Sequence, residues 1–126
     1  MRAPFFSVIL TVYNGERFLQ EALESLSRQR FEDWELIAVD DASTDDTARI
    51  LSSFVASEPR ARLITNQKNL HIGASANLAL RTATGSWVAI LDADDRYHSD
   101  FLRRMHEEAV SSSPTEFLTS WPRIID

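Results

Sequence analysis

The chain has 126 residues, the length of one ordinary domain, and can bury a core without disulfides or a structural metal. Hydrophobic residues make up 44% and charged residues 25% of it, a globular composition that excludes a disordered tail, a collagen-like fibre and a coiled coil. It contains no cysteine, which excludes a disulfide framework and a thiolate metal site. The net charge of −6 argues against nucleic acid as a partner, because phosphate contacts need a basic face.

Short apolar strands alternate with amphipathic helices along the chain. The first strand ends before Asn14-Gly15, and the helix after it repeats its apolar residues at helical spacing until near Arg30. Ser43, with Asp46 three residues later, resembles a capping box and predicts the start of the second helix. The sequence predicts strands over residues 5–11, 35–39, 62–65, 87–91 and 117–121, helices over residues 16–30, 43–55, 73–84 and 99–110, and a linker over residues 111–114.

The predicted strands are apolar along their whole length, and helices of about a dozen residues separate them. Such strands are typical of a parallel sheet covered on both faces, so we predict a single α/β domain. Pro4-Phe5-Phe6 faintly resembles a signal peptide, but no cleavage site follows, and we predict a first strand and a cytoplasmic protein. The dinucleotide-binding, P-loop and nucleophile-elbow motifs do not occur in the sequence.

Two acidic groups directly follow predicted strands. Asp40 and Asp41 come after the second strand, and Asp92, Asp94 and Asp95 come after the fourth. Ligands of open parallel sheets bind at the carboxyl ends of the strands, so these carboxylates should share one edge. Their mutual repulsion favours a hard divalent cation, Mg²⁺ or Mn²⁺, which commonly carries a diphosphate.

Each group also has a simpler structural interpretation. Asp40-Asp41 is compatible with a turn, and Asp92-Ala93-Asp94 with a solvated loop. Asp45 and Asp46 are expected to stabilise a helix N-terminus. Two further residues have two interpretations each: Tyr13 is a stacking platform for a base or a surface turn residue, and His71 is an exposed loop residue or a ligand contact.

Four segments together resemble the family 2 glycosyltransferases, which have the GT-A fold. The resemblance implies a Rossmann-like, mainly parallel sheet, a nucleotide-sugar donor (a UDP- or dTDP-sugar), a divalent metal and inversion at the anomeric carbon. It also implies a sugar or lipid-linked acceptor. The segments are Ser7-Val8-Ile9-Leu10-Thr11-Val12-Tyr13-Asn14, residues 35–45 around Val39-Asp40-Asp41, residues 69–77, and residues 85–95 with Leu91-Asp92-Ala93-Asp94-Asp95.

The family pattern also assigns roles to individual residues. Tyr13 would lie near the base, and Asp41 would accept a hydrogen bond from it. Asp94 and Asp95 would bind the metal, with Asp94 near the diphosphate. The resemblance implies a nucleotide site made of Thr11, Tyr13, Asn14, Asp40, Asp41, Lys68, Asp92, Ala93 and Asp94.

The sequence departs from the family pattern between the third strand and the third helix. Ser75-Ala76-Asn77 stands where the family often has Ala-Arg-Asn, and His71 stands where it often has Gly. We therefore expect Lys68 or His71 to replace the missing contacts to the base or the phosphates.

The resemblance also implies a general base that this chain is not expected to contain. In the family the base is a carboxylate well after the DxD motif, which corresponds to Asp92-Ala93-Asp94 here. The later residues Glu107, Glu108 and Glu116 fit exposed positions better than the role of a base. We expect residues 1–126 to be the donor-binding part of a longer enzyme. Peripheral association of that enzyme with the inner face of the membrane is one option. A sheet that ends early leaves an unpaired edge, which predicts a homodimer of the fragment.

Two alternatives remain open. A non-catalytic nucleotide-binding or interaction module would equally lack a general base. A Mg²⁺-dependent phosphoacceptor of the response-regulator type would need paired acids after the first strand, but that strand ends in Thr11-Val12-Tyr13-Asn14.

Overall fold

A computed structural model describes residues 2–111 and Leu118. The predicted linker after Ser111 and the predicted fifth strand lie outside the described residues, apart from Leu118 itself. Four strands and four helices alternate in the described part. They are β1 (Phe6–Val12), α1 (Glu16–Ser27), β2 (Trp34–Asp40), α2 (Thr47–Ser57), β3 (Ala61–Thr65), α3 (His71–Thr82), β4 (Trp87–Ile90) and α4 (Phe101–Ser111).

The four strands form one parallel sheet in the order β3-β2-β1-β4. Because successive side chains of a strand point to opposite faces, the apolar strands have two faces to bury. On one face, Val8 and Leu36 pack against residues of α1, α2 and α4, including Leu23 and Leu102. On the other face, β1 and β2 pack against α3. The predicted α/β fold, with a parallel sheet between helices, is confirmed.

The edge strand β4 differs from the prediction of burial throughout. Trp87 and Ala89 pack against the core, whereas Val88 and Ile90 are exposed, Ile90 to 59%. The reason is that α3 packs on β1 and β2 and leaves the same face of β4 uncovered. An apolar run therefore indicated the strand correctly but not how much of it is covered.

Two predicted helix starts are corrected by the structure. Helix α2 begins at Thr47, and the predicted capping box is wrong because Asp46 makes no side-chain cap hydrogen bond. Instead, Asp45 Oδ1 accepts a hydrogen bond from the Thr47 N–H (2.9 Å), and the Ser43 hydroxyl accepts one from the Asn14 N–H. Helix α3 runs from His71 to Thr82, two residues earlier at each end than predicted.

A buried carboxylate holds together the amino ends of the strands. Glu35 is 7% exposed, and its Oε1 accepts hydrogen bonds from Ser7 Oγ (2.6 Å), the Thr84 N–H (2.7 Å) and Thr84 Oγ1 (2.9 Å). Arg62 donates to Oε2 at 3.1 Å. Burial raises the pKa of Glu35, but these hydrogen bonds and the Arg62 charge outweigh it and lower the pKa below its ordinary value. This network lies at the end of the sheet opposite the predicted site.

Candidate functional site

The predicted site residues lie in the loops that follow the four parallel strands, at one edge of the sheet. We call this edge the rim and define it as residues 13–15, 41–46, 66–71 and 91–96. Three non-glycine residues in the described part of the chain have positive φ angles: Asn14 (50°), Ala42 (64°) and His71 (69°). All three lie on the rim, one after each of the first three strands. Left-handed backbone is unfavourable for such residues and is often found at functional sites.

The end of β1 and the loop after it carry three predicted nucleotide-site residues. Thr11 is half-buried near the end of the strand, and Tyr13 is 51% exposed, so its ring is accessible to a ligand. Asn14 is exposed, and its Oδ1 accepts hydrogen bonds from the backbone N–H groups of Thr44 (2.7 Å) and Asp45 (3.3 Å). The side-chain oxygen of Asn14 is therefore hydrogen-bonded to the loop after β2.

The acidic pair at the end of β2 is buried, and each carboxylate accepts hydrogen bonds from within the protein. Asp40 accepts a hydrogen bond from the Ser43 N–H at 3.0 Å. Asp41 is 4% exposed, and its Oδ1 accepts hydrogen bonds from the Leu70 N–H (2.7 Å) and Asn66 Nδ2 (2.9 Å). Burial raises the pKa of Asp41, but the hydrogen bonds outweigh it and lower the pKa below the usual value, so Asp41 is an anion at neutral pH.

Asp41 also organises the loop after β3. Asn66, which donates to Asp41, donates in addition to Ser75 Oγ of α3 at 3.1 Å. Lys68 and His71 are exposed on this loop, so both predicted substitutes for the missing family contacts are accessible from the rim. His71 is the first residue of α3, and its exposure is compatible with both interpretations of it.

The loop after β4 exposes three carboxylates. Asp92, Asp94 and Asp95 are all exposed, while Ala93 packs against the core. Burial and the neighbouring carboxylates of Asp92 and Asp94 raise the pKa of Asp95 above its ordinary value. Like charges thus repel one another here, which is the electrostatic environment that a bound cation relieves.

Two contacts fix the position of this acidic loop. Tyr97 donates its hydroxyl hydrogen to the backbone oxygen of Ile90, the last residue of β4, and its N–H donates to Ser25 Oγ of α1 (3.0 Å). Gly15 lies so close that an added Cβ would lie 2.5 Å from Val12 Cγ2 and 3.5 Å from Ala93 Cβ. The loops after β1 and β4 are therefore in ordinary contact at Gly15 and Ala93, whereas it is Val12 of β1 that leaves little room for a side chain at position 15.

The described residues contain no preformed metal cage. Within residues 2–111 and Leu118, no group of three or more histidine and carboxylate side chains is arranged to hold an ion. This agrees with the way Mg²⁺ is bound in nucleotide sites, where one or two carboxylates, phosphate oxygens and water share the coordination shell. The exposed carboxylates of Asp94 and Asp95 fit such a partial site.

A concavity of about 650 Å³ lies at the opposite end of the sheet, at the residues that precede the strands. Phe5, Phe31 and His106 line it, with the ring centroids of Phe31 and His106 4.7 Å apart. Its two charged residues, Arg2 and Asp33, pair with each other at 3.2 Å. Ser86 of this lining belongs to the matching segment 85–95, but none of the predicted site residues lines the concavity.

Several residues that shape the rim were not identified from the sequence. Asn66 and Ser75 support Asp41 from inside the protein, and Thr47 accepts a hydrogen bond from the Gly15 N–H at 3.0 Å. Of these three residues, only Thr47 could have been suspected from the sequence, because small hydroxyl residues are common beside helix N-termini. Of the tryptophans expected to serve packing, Trp34 is buried and Trp87 packs against the core, while Trp121 lies outside the described residues.

No helix in the described part of the chain has the length and apolar character needed to cross a bilayer.

Several known proteins resemble this chain in sequence or in structure. Among curated proteins, the chain is 43% identical over 108 residues to the "Putative glycosyltransferase EpsE" of Bacillus subtilis (strain 168), covering 85% of this chain and 38% of that protein. The structure resembles S. aureus TarS 1–349 in complex with UDP-GlcNAc, with a TM-score of 0.78, 31% identity and coverage of 83% of this chain and 31% of that one.

A second solved structure is the mannosyltransferase PcManGT from Pyrobaculum calidifontis in complex with GDP-Man and Mn²⁺. It matches with a TM-score of 0.79 and 28% identity, over 88% of this chain and 34% of that one. The chain thus spans well under half the length of these three proteins. The family model described as "Glycosyl transferase family 2" matches residues 7–125. The chain therefore belongs to glycosyl transferase family 2, and its sheet is that of a GT-A glycosyltransferase.

Proposed function

We propose that this chain is the donor-binding part of a metal-dependent, inverting glycosyltransferase that uses a UDP- or dTDP-sugar. The observation that carries the proposal is the acidic loop after β4, which exposes the three carboxylates of Asp92, Asp94 and Asp95 at the rim. A carboxylate cluster of this kind attracts a divalent cation, and the cation in turn allows an acidic surface to bind a diphosphate. Two structural neighbours bind nucleotide sugars, TarS 1–349 with UDP-GlcNAc and PcManGT with GDP-Man and Mn²⁺, and this supports a nucleotide-sugar donor.

Asp94 and Asp95 would hold the Mg²⁺ or Mn²⁺ beside the diphosphate, Asp92 would lie near the ribose, and Ala93 would complete the nucleotide site between them. The cation would neutralise charge that develops on the departing nucleoside diphosphate. Lys68 and His71 are exposed on the neighbouring loop and would add positive charge or hydrogen bonds there. These side chains bind and orient the donor.

Tyr13 would stack on the base, because its ring is half-exposed at the end of the central strand β1. Thr11 and Asp40 would border the nucleotide. Asp41 would accept a hydrogen bond from the base, and its present partners limit how. Leu70 and Asn66 both donate to its Oδ1, so the base would donate to Oδ2 or to the remaining lone pair of Oδ1.

The acceptor, a sugar or a lipid-linked sugar, would bind to parts of the enzyme beyond the donor half. An inverting transfer needs a general base at the acceptor hydroxyl, and we assign none to this chain. We place the whole enzyme in the cytoplasm or at the inner face of the membrane, where nucleotide sugars are the donors.

Calorimetry of this chain with UDP, in the presence and absence of MnCl₂, tests the proposal. We expect UDP to bind more tightly with Mn²⁺, and Asp94→Asn to weaken that binding by about tenfold or more. Glu108→Gln is the matched control, because Glu108 is also an exposed carboxylate but lies on α4, outside the rim. It should bind UDP as the parent does.

Two results would count against the proposal in different ways. If neither UDP nor GDP binds with or without Mn²⁺, the nucleotide site is refuted. If UDP binds equally well without metal, and Asp94→Asn matches the parent, the metal role of the acidic loop is refuted.

A further inference from the structure

Two rim loops are joined by an unusually dense set of hydrogen bonds. We call this set the inter-loop clamp, which links residues 14–16 to residues 43–47. Asn14 Oδ1 accepts from the Thr44 N–H (2.7 Å), Thr44 Oγ1 (3.3 Å) and the Asp45 N–H (3.3 Å). In return, the Asn14 N–H donates to Ser43 Oγ at 2.9 Å.

The clamp continues at the first turns of α1 and α2. The Glu16 N–H donates to Asp45 Oδ2 (3.2 Å), and the Asp46 N–H donates to Glu16 Oε2 (2.9 Å). Each helix start therefore receives its acceptor from the other loop, which satisfies backbone groups that helices leave unpaired. The two loops cannot move apart without leaving these groups without partners.

The clamp lies beside two residues of the proposed base site. Tyr13 directly precedes Asn14, and Asp41 directly precedes Ala42. Asn14 and Ala42 have φ angles of 50° and 64°, so the backbone turns sharply next to each of them. Because such backbone is unfavourable for non-glycine residues, surrounding contacts must hold it, and Asn14 makes those contacts.

We propose that Asn14 is a positioning residue, which acts on the donor through the clamp and not by contact with the nucleotide. Its side-chain oxygen fixes the loop of Tyr13 against the loop of Asp41, so the site for the base is formed before the donor arrives. This inference rests on the proposed function. It differs from the expectation that Asn14 belongs to the nucleotide contacts, because its Oδ1 already serves three donors within the protein.

Three variants of this chain test the inference by calorimetry with UDP and MnCl₂. Asn14→Gly keeps a backbone that adopts positive φ easily but removes the acceptor, and should raise the Kd by about tenfold. Asn14→Asp retains an acceptor at the same place and should stay within about threefold of the parent. Thr84→Val removes a hydroxyl bonded to Glu35 at the opposite end of the sheet, and should lower the Tm without changing the Kd.

Hydrogen exchange at the Thr44 and Asp45 amides provides a readout that is independent of the ligand. It should accelerate in Asn14→Gly and not in Thr84→Val. If Asn14→Gly fails to fold, Ser43→Ala serves instead, since it removes the acceptor of the Asn14 N–H and should also weaken binding.

The outcomes separate the two proposals. A parent chain that binds UDP, with an Asn14→Gly variant that binds it equally well, overturns the positioning role alone. Unchanged amide exchange in Asn14→Gly overturns the clamp itself. A parent chain that binds neither UDP nor GDP refutes the proposed function, and the role of Asn14 in donor binding falls with it.

Discussion

Replacing the buried Glu35 by glutamine tests how the amino ends of the strands are held together. The amide of Glu35→Gln can keep its oxygen at the position of Oε1, where Ser7 and Thr84 donate. What it loses is the negative charge that strengthens these bonds and the interaction of Oε2 with Arg62. The change is therefore small in shape and large in electrostatics.

The expected loss follows from the three hydrogen bonds at Oε1. Charge-assisted hydrogen bonds are about twice as strong as neutral ones, and the Arg62 pair adds little because Arg62 is largely exposed. We expect Glu35→Gln to lower the free energy of unfolding by about 2 kcal/mol. For a chain of 126 residues this corresponds to a fall in Tm of about 7 °C. Glu35→Ala leaves the buried donors without an acceptor and should lower the free energy of unfolding by about 3–5 kcal/mol.

Urea unfolding followed by circular dichroism, between pH 7 and pH 3, measures these losses. A carboxylate whose pKa is lowered by folding stabilises the protein above its unfolded pKa, and this contribution disappears as the pH falls through the folded pKa. The difference between parent and Glu35→Gln should thus be full at neutral pH and shrink below about pH 4.5.

Two controls accompany this measurement. Arg62→Gln should cost less than about 1 kcal/mol, since it breaks only the exposed part of the network. UDP binding by Glu35→Gln should match that of the parent, because the network lies at the far end of the sheet from the rim. A Glu35→Gln variant as stable as the parent at pH 7, or a gap that widens in acid, would refute the reasoning.

Two further predictions concern the close contact at Gly85 and the exposed strand β4. Gly85→Ala should destabilise the fold by about 1–3 kcal/mol in thermal unfolding, because the new Cβ would lie 2.7 Å from the Ser7 backbone nitrogen; unchanged stability would show that the loop yields easily. Ile90→Lys should reduce self-association of this chain in light scattering without changing its Tm, because Ile90 is exposed on the edge strand. A parent chain that stays monomeric at high concentration would contradict the predicted homodimer.

The alternation of strands and helices could be predicted from the sequence because the apolar periodicity is strong. Strand boundaries agree to within one residue at each end, and the acidic loops follow β2 and β4 as expected. Parallel pairing then places both loops on the same edge. The rim could therefore be located before any coordinates were known.

What could not be predicted depends on partners that are distant along the chain. Ser43 looked like a helix cap, but its hydroxyl accepts from Asn14, which lies in another loop. Asp40 and Asp41 looked like free ligands, yet the fold buries them, with Asn66 and Leu70 donating to Asp41. Local patterns do not reveal such contacts, because they form only when the sheet brings separate loops together.

The strand order has a consequence for how the chain is made. β1 precedes the other three described strands in the chain, yet it occupies the interior of the sheet, with β2 on one side and β4 on the other. Its pairing with β4, where Phe6 lies opposite Trp87, joins residues about eighty positions apart. During translation the edge of β1 that pairs with β4 stays unpaired until most of this chain has left the ribosome. An unpaired apolar strand is prone to aggregate, so slowing elongation just before β4 should lower the soluble yield.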